Sequence, residues 1–313
     1  MSCTEGERTE RRPDWLRIRL RTDESFRSVR SMVSELRLNT VCTEARCPNI
    51  YECWSAGTAT FMILGDVCTR RCGFCNVTSG RPAPGVDPDE PAHVAEAVAR
   101  LGLRHAVITS VDRDDLDDRG AGHFRDVILA IRRRNPGCAV EVLTPDFKGR
   151  PDAPAIVLDA APEVFAHNVE TVPRLYREAR PGSKYRGSLA LLAAAARHRD
   201  RSGSAMRVKS SLMLGLGERD EEVLEVMADL REAGVDVVTL GQYLQPTREH
   251  LPVQRFVRPD EFDALGREGR ALGFLHVESG PLVRSSYHAE RHRPDPPQAR
   301  ETGAASLKVL GRS

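Results

Sequence analysis

A parallel (β/α) barrel, complete or partial and built on about six strands, is the fold this 313-residue sequence predicts. Short apolar runs of strand length alternate with amphipathic stretches of helix length along most of the chain. The runs are continuously apolar rather than alternating, as strands buried on both faces are. Polar clusters follow several of them at their C-terminal ends, where a barrel of this kind carries its reactive groups. Periodicity does not separate a barrel from a doubly wound sheet, but so many successive units favour the barrel.

In chain order, DESFRSVRSMVSELRL (23–38) has apolar residues at helical spacing and predicts a short helix. ATFMILG (59–65) reads as a buried strand. DEPAHVAEAVARLG (89–102) follows as a helix, with acidic residues in its first turn and Gly102 at its end. HAVITSV (105–111), AVEVLTP (139–145) and EVFAHNVE (163–170) are further strands, separated by helices over 122–135 and 154–161. The helix YRGSLALLAAAARHR (185–199) leads into the strand MRVKSSLMLGLG (206–217). The helix 220–234, the strand DVVTLGQY (236–243), the helix 259–273 and the short strand FLHVES (274–279) complete the alternation. The expected organisation is an extension over 1–57, a barrel over 58–280 and a second extension over 281–313. The Pro- and Arg-rich end of the second extension, from about residue 291, is expected to be loosely ordered.

Lys and Arg total 46 against 45 Asp and Glu, a formal net charge of +1, so no basic excess argues for nucleic-acid binding. No apolar run is long enough to span a membrane. The first residues, MSCTEGERTERRPDW, lack the apolar stretch of a secretory signal and contain glutamates that an organellar transit peptide avoids. A cytoplasmic location is therefore expected, and the eight cysteines read as metal or catalytic ligands rather than disulfides.

Six of those cysteines fall between residues 42 and 75. Cys3 lies in the polar leader, and Cys138 reads as a small buried hydrophobe. Cys68, Cys72 and Cys75 form C-x3-C-x2-C just after the first strand, where a barrel places its chemistry. Three thiolates suit a four-iron cluster with one iron left open to a small molecule. The alternative is a zinc knuckle that borrows its fourth ligand from elsewhere. Cys42, Cys47 and Cys53 repeat the three-thiolate arrangement upstream as C-x4-C-x5-C, which by itself is also compatible with zinc.

With CTRRCGFC, in which Phe74 precedes the last cysteine, the chain resembles the radical S-adenosylmethionine enzymes. That resemblance implies a [4Fe–4S] cluster whose open iron is chelated by the cosubstrate. An electron from it releases a 5′-deoxyadenosyl radical, which abstracts hydrogen from an unactivated carbon. RCPNIYECW, SVDRDDL, AHNVETV, KSSLMLGLGE, QYLQPT and GPLVRSSYHAE, in that order over about residues 35–290, resemble segments of the lipoyl synthase family. This second resemblance implies that Cys42, Cys47 and Cys53 hold an auxiliary [4Fe–4S] cluster, with Ser286 as its fourth ligand and Ser285 beside it. The auxiliary cluster is then the sacrificial sulfur source for two insertions, at C6 and C8 of an octanoyl chain. The implied partners are an octanoylated lipoyl carrier domain or a glycine-cleavage H-type protein, a ferredoxin or flavodoxin donor, and an iron–sulfur carrier that repairs the spent cluster. No nucleic acid and no membrane are implied.

Phe74, Asn168, Glu170, Gly215 and Gly217 are the residues assigned to the cosubstrate. An amide and a carboxylate beyond a strand end suit ribose hydroxyls, although an asparagine often simply starts a loop. The two glycines permit close backbone approach to a ligand. Glu218 could serve the following helix N-terminus, and Lys209, if it points inward, needs a carboxylate partner. The acidic run Asp112–Asp118 reads either as a substrate-side loop, in which Arg113 could contact a carboxylate or carbonyl, or as a solvated charged loop. Arg70 and Arg71 are expected to tune the cluster or touch the carrier, and leader arginines such as Arg11, Arg12, Arg17, Arg19 and Arg21 to dock it or remain solvated. His167 and His288 are of interest only as neighbours of motifs. A methylthiotransferase would need an RNA-binding module and widely spaced cysteines. Biotin synthase draws its second set of ligands from within the barrel, and a two-cluster electron carrier needs eight ligands and no barrel.

Overall fold

A computed structural model of the chain describes residues 12–18, 20–56 and 58–294; Cys3, Arg11, Arg19 and the tail from residue 295 lie outside them. The helices are α1 (Glu24–Glu35), α2 (Val41–Glu44), α3 (Ile50–Ser55), α4 (Glu90–Arg100), α5 (Ala121–Arg134), α6 (Ala153–Asp159), α7 (Tyr176–Ala179), α8 (Tyr185–Ser202), α9 (Asp220–Glu232) and α10 (Pro259–Ala271). The strands are β1 (Asn39–Thr40), β2 (Thr60–Ile63), β3 (Val67–Cys68), β4 (Thr78–Ser79), β5 (His105–Ser110), β6 (Ala139–Leu143), β7 (Val164–Ala166), β8 (Arg207–Leu214), β9 (Val237–Gln242) and β10 (His276–Gly280).

One sheet runs β1-β2-β5-β6-β7-β8-β9-β10, and its seven strands from β2 to β10 are parallel, one more than about six. Only β1, an edge added from the N-terminal extension, pairs antiparallel, with β2. No ladder joins β10 to β1 among the described residues, so the barrel is partial. Its open side is bridged by contacts of the C-terminal extension with the N-terminal extension and with β2. Asn49 Nδ2 donates to the Leu282 carbonyl at 2.8 Å, and Thr60 Oγ1 donates to Ser286 Oγ at 3.0 Å. The fourth predicted strand is shorter than expected: after Ala166 the chain leaves the ladder, and only Glu170 rejoins it, as an isolated bridge to Leu212.

Helix α1 begins where the Asp23 carboxylate accepts the Phe26 N–H at 3.0 Å, and it buries Phe26, Val29 and Met32 at helical spacing. Phe26 stacks on Tyr51 and meets Trp54, so α1 braces α3, the helix that carries Cys53. The extension thus shares the barrel's hydrophobic core.

Inside the barrel, the inward Lys209 has the carboxylate it requires: Nζ lies 2.7 Å from Glu141, which also meets His105 Nε2 at 3.3 Å. Lys209 and Glu141 are both buried. Burial pushes the Glu141 carboxyl up, but Lys209 and His105 outweigh it and hold the carboxyl at about 2. Its folded pKa is depressed, so its stabilisation is fully present above the usual carboxylate range and is lost as pH falls towards 2. Lys209→Met strands a buried carboxylate and is expected to cost about 3–5 kcal/mol. The double change Lys209→Met with Glu141→Leu is expected to cost much less. Denaturant titration of both chains is the check, and equal losses would show that charge is not the cause.

Candidate functional site

The strand ends and the two extensions enclose a cavity of about 330 Å³. Both cysteine triplets reach it: Cys68, Cys72 and Cys75 line one part, Cys42 and Cys47 another, and Ser285 and Ser286 lie on its wall. Cys53 is half-buried outside the lining.

The loop carrying Cys68, Cys72 and Cys75 is pinned from several elements. Strands β3 and β4 pair in parallel at its base, and Gly80 N–H donates to the Cys68 carbonyl at 2.9 Å. Thr69 N–H and Oγ1 both donate to the Asp112 carbonyl at 3.0 Å. Gly73 N–H donates to the carbonyl of Ala179, at the end of α7, and the Gly73 carbonyl accepts the Leu251 N–H. His250 Nε2 lies 2.9 Å from the Cys75 carbonyl, which can only accept, so the ring donates there and takes the Thr247 hydroxyl on Nδ1. Asn76 Nδ2 donates to the Glu44 carbonyl at 2.7 Å and ties this loop to α2, the helix of Cys42.

Burial dominates the state of all six thiols. It pushes Cys72 up to about 12 and Cys75 up to about 11, and raises Cys68, with neighbouring acids adding to the effect. Burial and the nearby cysteines push Cys42 to about 11 and Cys53 to about 12, and burial raises Cys47 as well. Such thiols stay protonated near neutrality unless a metal displaces the protons, so iron loading is favoured by rising pH. Five of the six thiols line the cavity rather than converging on one point. Among the described residues no three His, Cys, Asp or Glu side chains come together closely enough to hold a single metal ion.

Some buried polar atoms without partners lie on the cavity wall or beside a triplet. Ser110 Oγ and Asn168 Oδ1 belong to cavity-lining residues, and Trp54 Nε1 is orphaned next to Cys53 in sequence. These groups fit a polar cosubstrate beside one triplet and an acceptor, such as cluster sulfur, beside the other.

Asn168 and Glu170 both line the cavity, and Asn168 Nδ2 donates to Glu170 Oε1 at 3.1 Å. Glu170 sits in the left-handed region at φ +67°, sparsely populated by residues other than glycine. It is held there by Glu170 N–H to Ser211 O and Met213 N–H to Glu170 O. Burial raises its carboxyl, against the pull of Arg180. Arg180 is buried and lines the cavity, donating to the Asn168 carbonyl at 2.7 Å and the Tyr176 hydroxyl at 3.3 Å. No carboxylate pairs with it among the described residues, and Cys72 and Glu170 lie within its electrostatic reach. Sequence reading missed Arg180: REARPG resembles a surface charge run, and only its place after the strand of AHNVET hinted otherwise. Phe74 is partly buried and faces the cavity.

Several sequence-based expectations are redirected. Gly215 and Gly217 do not line the cavity. A Cβ on Gly215, at φ +99°, would collide with Gln242 and the Arg255 carbonyl, so its freedom serves packing within the chain. Glu218 does not cap α9, which Glu222 does through the Arg219 N–H; it accepts the Gly215 and Leu216 N–H groups at 2.5 and 2.9 Å. Arg113 reaches no ligand: it is buried, paired with Asp115 at 2.9 Å and donating to the carbonyls of Leu64, Ala83 and Gly85. Arg70 is buried among Asp112, Asp114 and Asp146, which leaves only Arg71 exposed for a partner. Asp118 caps the Gly120 and Gly122 N–H groups, so of the acidic run Asp112 is the one carboxylate lining the cavity. His167 is held neutral, pushed down to about 4 chiefly by burial, between the Thr144 carbonyl and the Ser188 hydroxyl. His288 is half-buried against the Tyr287 ring and does not line the cavity.

The Radical SAM superfamily matches residues 62–230. The chain is 55% identical over 284 residues to the lipoyl synthase of Rubrobacter xylanophilus, covering 91% of this chain and 87% of that protein. It is 57% identical over 282 residues to the lipoyl synthase of Methylococcus capsulatus, covering 90% and 86%. Among solved structures it resembles Streptococcus suis SuiB bound to precursor peptide SuiA, with a TM-score of 0.53 and 11% identity over 81% of this chain and 52% of SuiB. It also resembles methylornithine synthase, at a TM-score of 0.50 and 15% identity over 80% of this chain and 77% of that one. At such identities the two structures speak for the fold alone.

Proposed function

The chain belongs to the lipoyl synthase family of the radical S-adenosylmethionine superfamily, and from that premise we propose how its two cysteine triplets divide the work. The family's reaction inserts two sulfur atoms, at C6 and C8, into an octanoyl chain on a lipoyl carrier protein, with S-adenosylmethionine and a [4Fe–4S] cluster. Cys68, Cys72 and Cys75 hold the cluster that binds the cosubstrate; Cys42, Cys47, Cys53 and Ser286 hold the auxiliary one. When bound, the first supplies the electron for radical formation and the second supplies sulfur.

The observation that carries this reading is the shared cavity: groups from both triplets face one space, so one octanoyl carbon can meet both. Around it, Glu170 and Asn168 offer a carboxylate and an amide to the ribose hydroxyls, and Phe74 adds an apolar wall. Arg180 holds the Asn168 carbonyl in place from behind. Thr60 Oγ1 donates to Ser286 Oγ, a bond that stabilises negative charge on the serine oxygen as it ligates. An oxygen ligand is harder than a thiolate and suits iron–sulfur chemistry less well, which favours release as sulfur leaves. The carrier is an octanoylated lipoyl domain or a glycine-cleavage H-type protein, the electrons come from a ferredoxin or flavodoxin, and an iron–sulfur carrier restores the spent cluster. No helix of the described residues is long and apolar enough to cross a membrane. We place the reaction in the reducing cytoplasm, where free thiols persist as ligands.

Reconstituted protein given S-adenosylmethionine, dithionite and an octanoyl-lysine peptide is expected to form lipoyl peptide with two equivalents of 5′-deoxyadenosine. Cleavage without sulfur in the peptide would sink the assignment. In the same assay Glu170→Gln is expected to raise half-saturation by cosubstrate roughly tenfold, the worth of one charge-assisted hydrogen bond. An unchanged value would remove Glu170 from the ligand.

A further inference from the structure

Arg284 opens the segment Arg284-Ser285-Ser286-Tyr287, two residues before the serine assigned to the auxiliary cluster. Its half-buried guanidinium lines the cavity, within electrostatic reach of Cys47. The placement is built rather than incidental. A Cβ on Gly241, at the end of β9, would collide with the Val283 carbonyl and lie 3.3 Å from Arg284 Nη1. Only glycine there lets the segment seat so closely. Nη1 donates to the Val283 carbonyl at 2.6 Å, and Asn49, between Cys47 and Cys53, holds the Leu282 carbonyl.

No carboxylate pairs with Arg284 among the described residues, although the chain has 45 acidic side chains. Two other buried arginines have them: Arg70 has three aspartates around it, and Arg113 has Asp115. The other charged group within reach of Arg284, apart from Cys47, is Arg12, a second cation. A desolvated cation without a counter-charge is costly, so the site awaits an anion. Arg180, beside Cys72 in the other triplet, also lacks an ion pair, but Glu170 and Asp146 lie within its reach, whereas no carboxylate of the described residues lies within reach of Arg284.

We propose that Arg284 is the counter-cation of the auxiliary cluster, a positioning residue whose positive charge favours the cluster's reduced form. The inference rests on the assignment of that cluster to Cys42, Cys47, Cys53 and Ser286. Three thiolates and an alkoxide outweigh the positive charge of a four-iron, four-sulfide core, and Arg284 offsets the excess at close range.

The test uses the full chain with Cys68, Cys72 and Cys75 changed to alanine, so that only the auxiliary cluster remains, and follows its reduction potentiometrically by EPR. Adding Arg284→Met is expected to lower the ratio of reduced to oxidised cluster at least tenfold at a given potential, about 59 mV for one electron. Arg284→Lys, which keeps the charge, is expected to recover most of the shift. Iron lost in Arg284→Met but kept in Arg284→Lys also supports the charge role. An unchanged potential on intact iron, equal shifts in both variants, or iron lost in both would overturn it. A parent triple-alanine chain that binds no iron would instead strike down the auxiliary cluster itself, and the inference with it.

Discussion

With Cys68, Cys72 and Cys75 all changed to alanine, the chain is expected to form no 5′-deoxyadenosine from S-adenosylmethionine while keeping about half its iron and sulfide, the share of one of two four-iron clusters. The single change Cys68→Ala is expected to abolish cleavage as well. Burial already raises these thiols, so each would be a thiolate only when iron stabilises it, and removing one would leave a site too poor in negative charge to hold a cluster. No neighbouring side chain stands ready to substitute. Asp112 lies 3.8 Å from Cys68 Sγ, but it is also engaged by Arg70, and His250 spends both ring nitrogens on Thr247 and the Cys75 carbonyl. The loop itself should persist, because β3–β4 pairing and the Thr69, Gly73 and Asn76 bonds do not involve the thiols. Product analysis by mass spectrometry together with iron and sulfide determination decides the matter. Normal 5′-deoxyadenosine yield from Cys68→Ala would refute the assignment of this triplet to the radical step.

The parts of this fold that obey local periodicity were legible from residues alone. The apolar runs at 105–111, 139–145, 206–217 and 236–243 contain β5, β6, β8 and β9, and the cysteine spacing singled out both triplets before any geometry was known. What stayed hidden depends on contacts distant in sequence. His250 lies 175 residues from the Cys75 carbonyl it holds, and nothing near it in QPTREHL announces the bond. Arg113 and Arg180 are both arginines in polar stretches, yet one is consumed by loop carbonyls and Asp115 while the other faces the cavity. Only packing separates them. The short helices α2 and α3 escaped notice because four and six residues are too few to display a period. The glycines of LGLG misled for a related reason: a positive φ and a close approach are legible as needs, but the partner approached was Gln242 rather than a ligand.

Removing Cys42 is expected to separate the two halves of the reaction. Cys42 sits on α2, buried, in the part of the cavity formed by the N-terminal extension; Asn168 and Glu170, the groups proposed for the cosubstrate, and Arg180 behind them come from the loops that follow a barrel strand. The two parts meet through the β1–β2 pairing, the Asn76–Glu44 bond and the shared cavity. Cys42→Ala should therefore still cleave S-adenosylmethionine, at a rate within a few-fold of the unaltered chain, but form no lipoyl peptide. Its 5′-deoxyadenosine would arise without sulfur in the substrate. The carbon radical, with no sulfur atom nearby, would be quenched or desaturated rather than thiolated. The structural cost of the change should be modest on the scale of the site. The α2 helix keeps its Thr40 cap on Thr43, and α3 keeps its packing on Phe26. Comparing deoxyadenosine with lipoyl and monothiolated peptide in one quenched time course reads both halves at once. Lipoyl product from Cys42→Ala would show that sulfur comes from elsewhere, whereas loss of cleavage along with product would show that the triplets act as one unit and not as two.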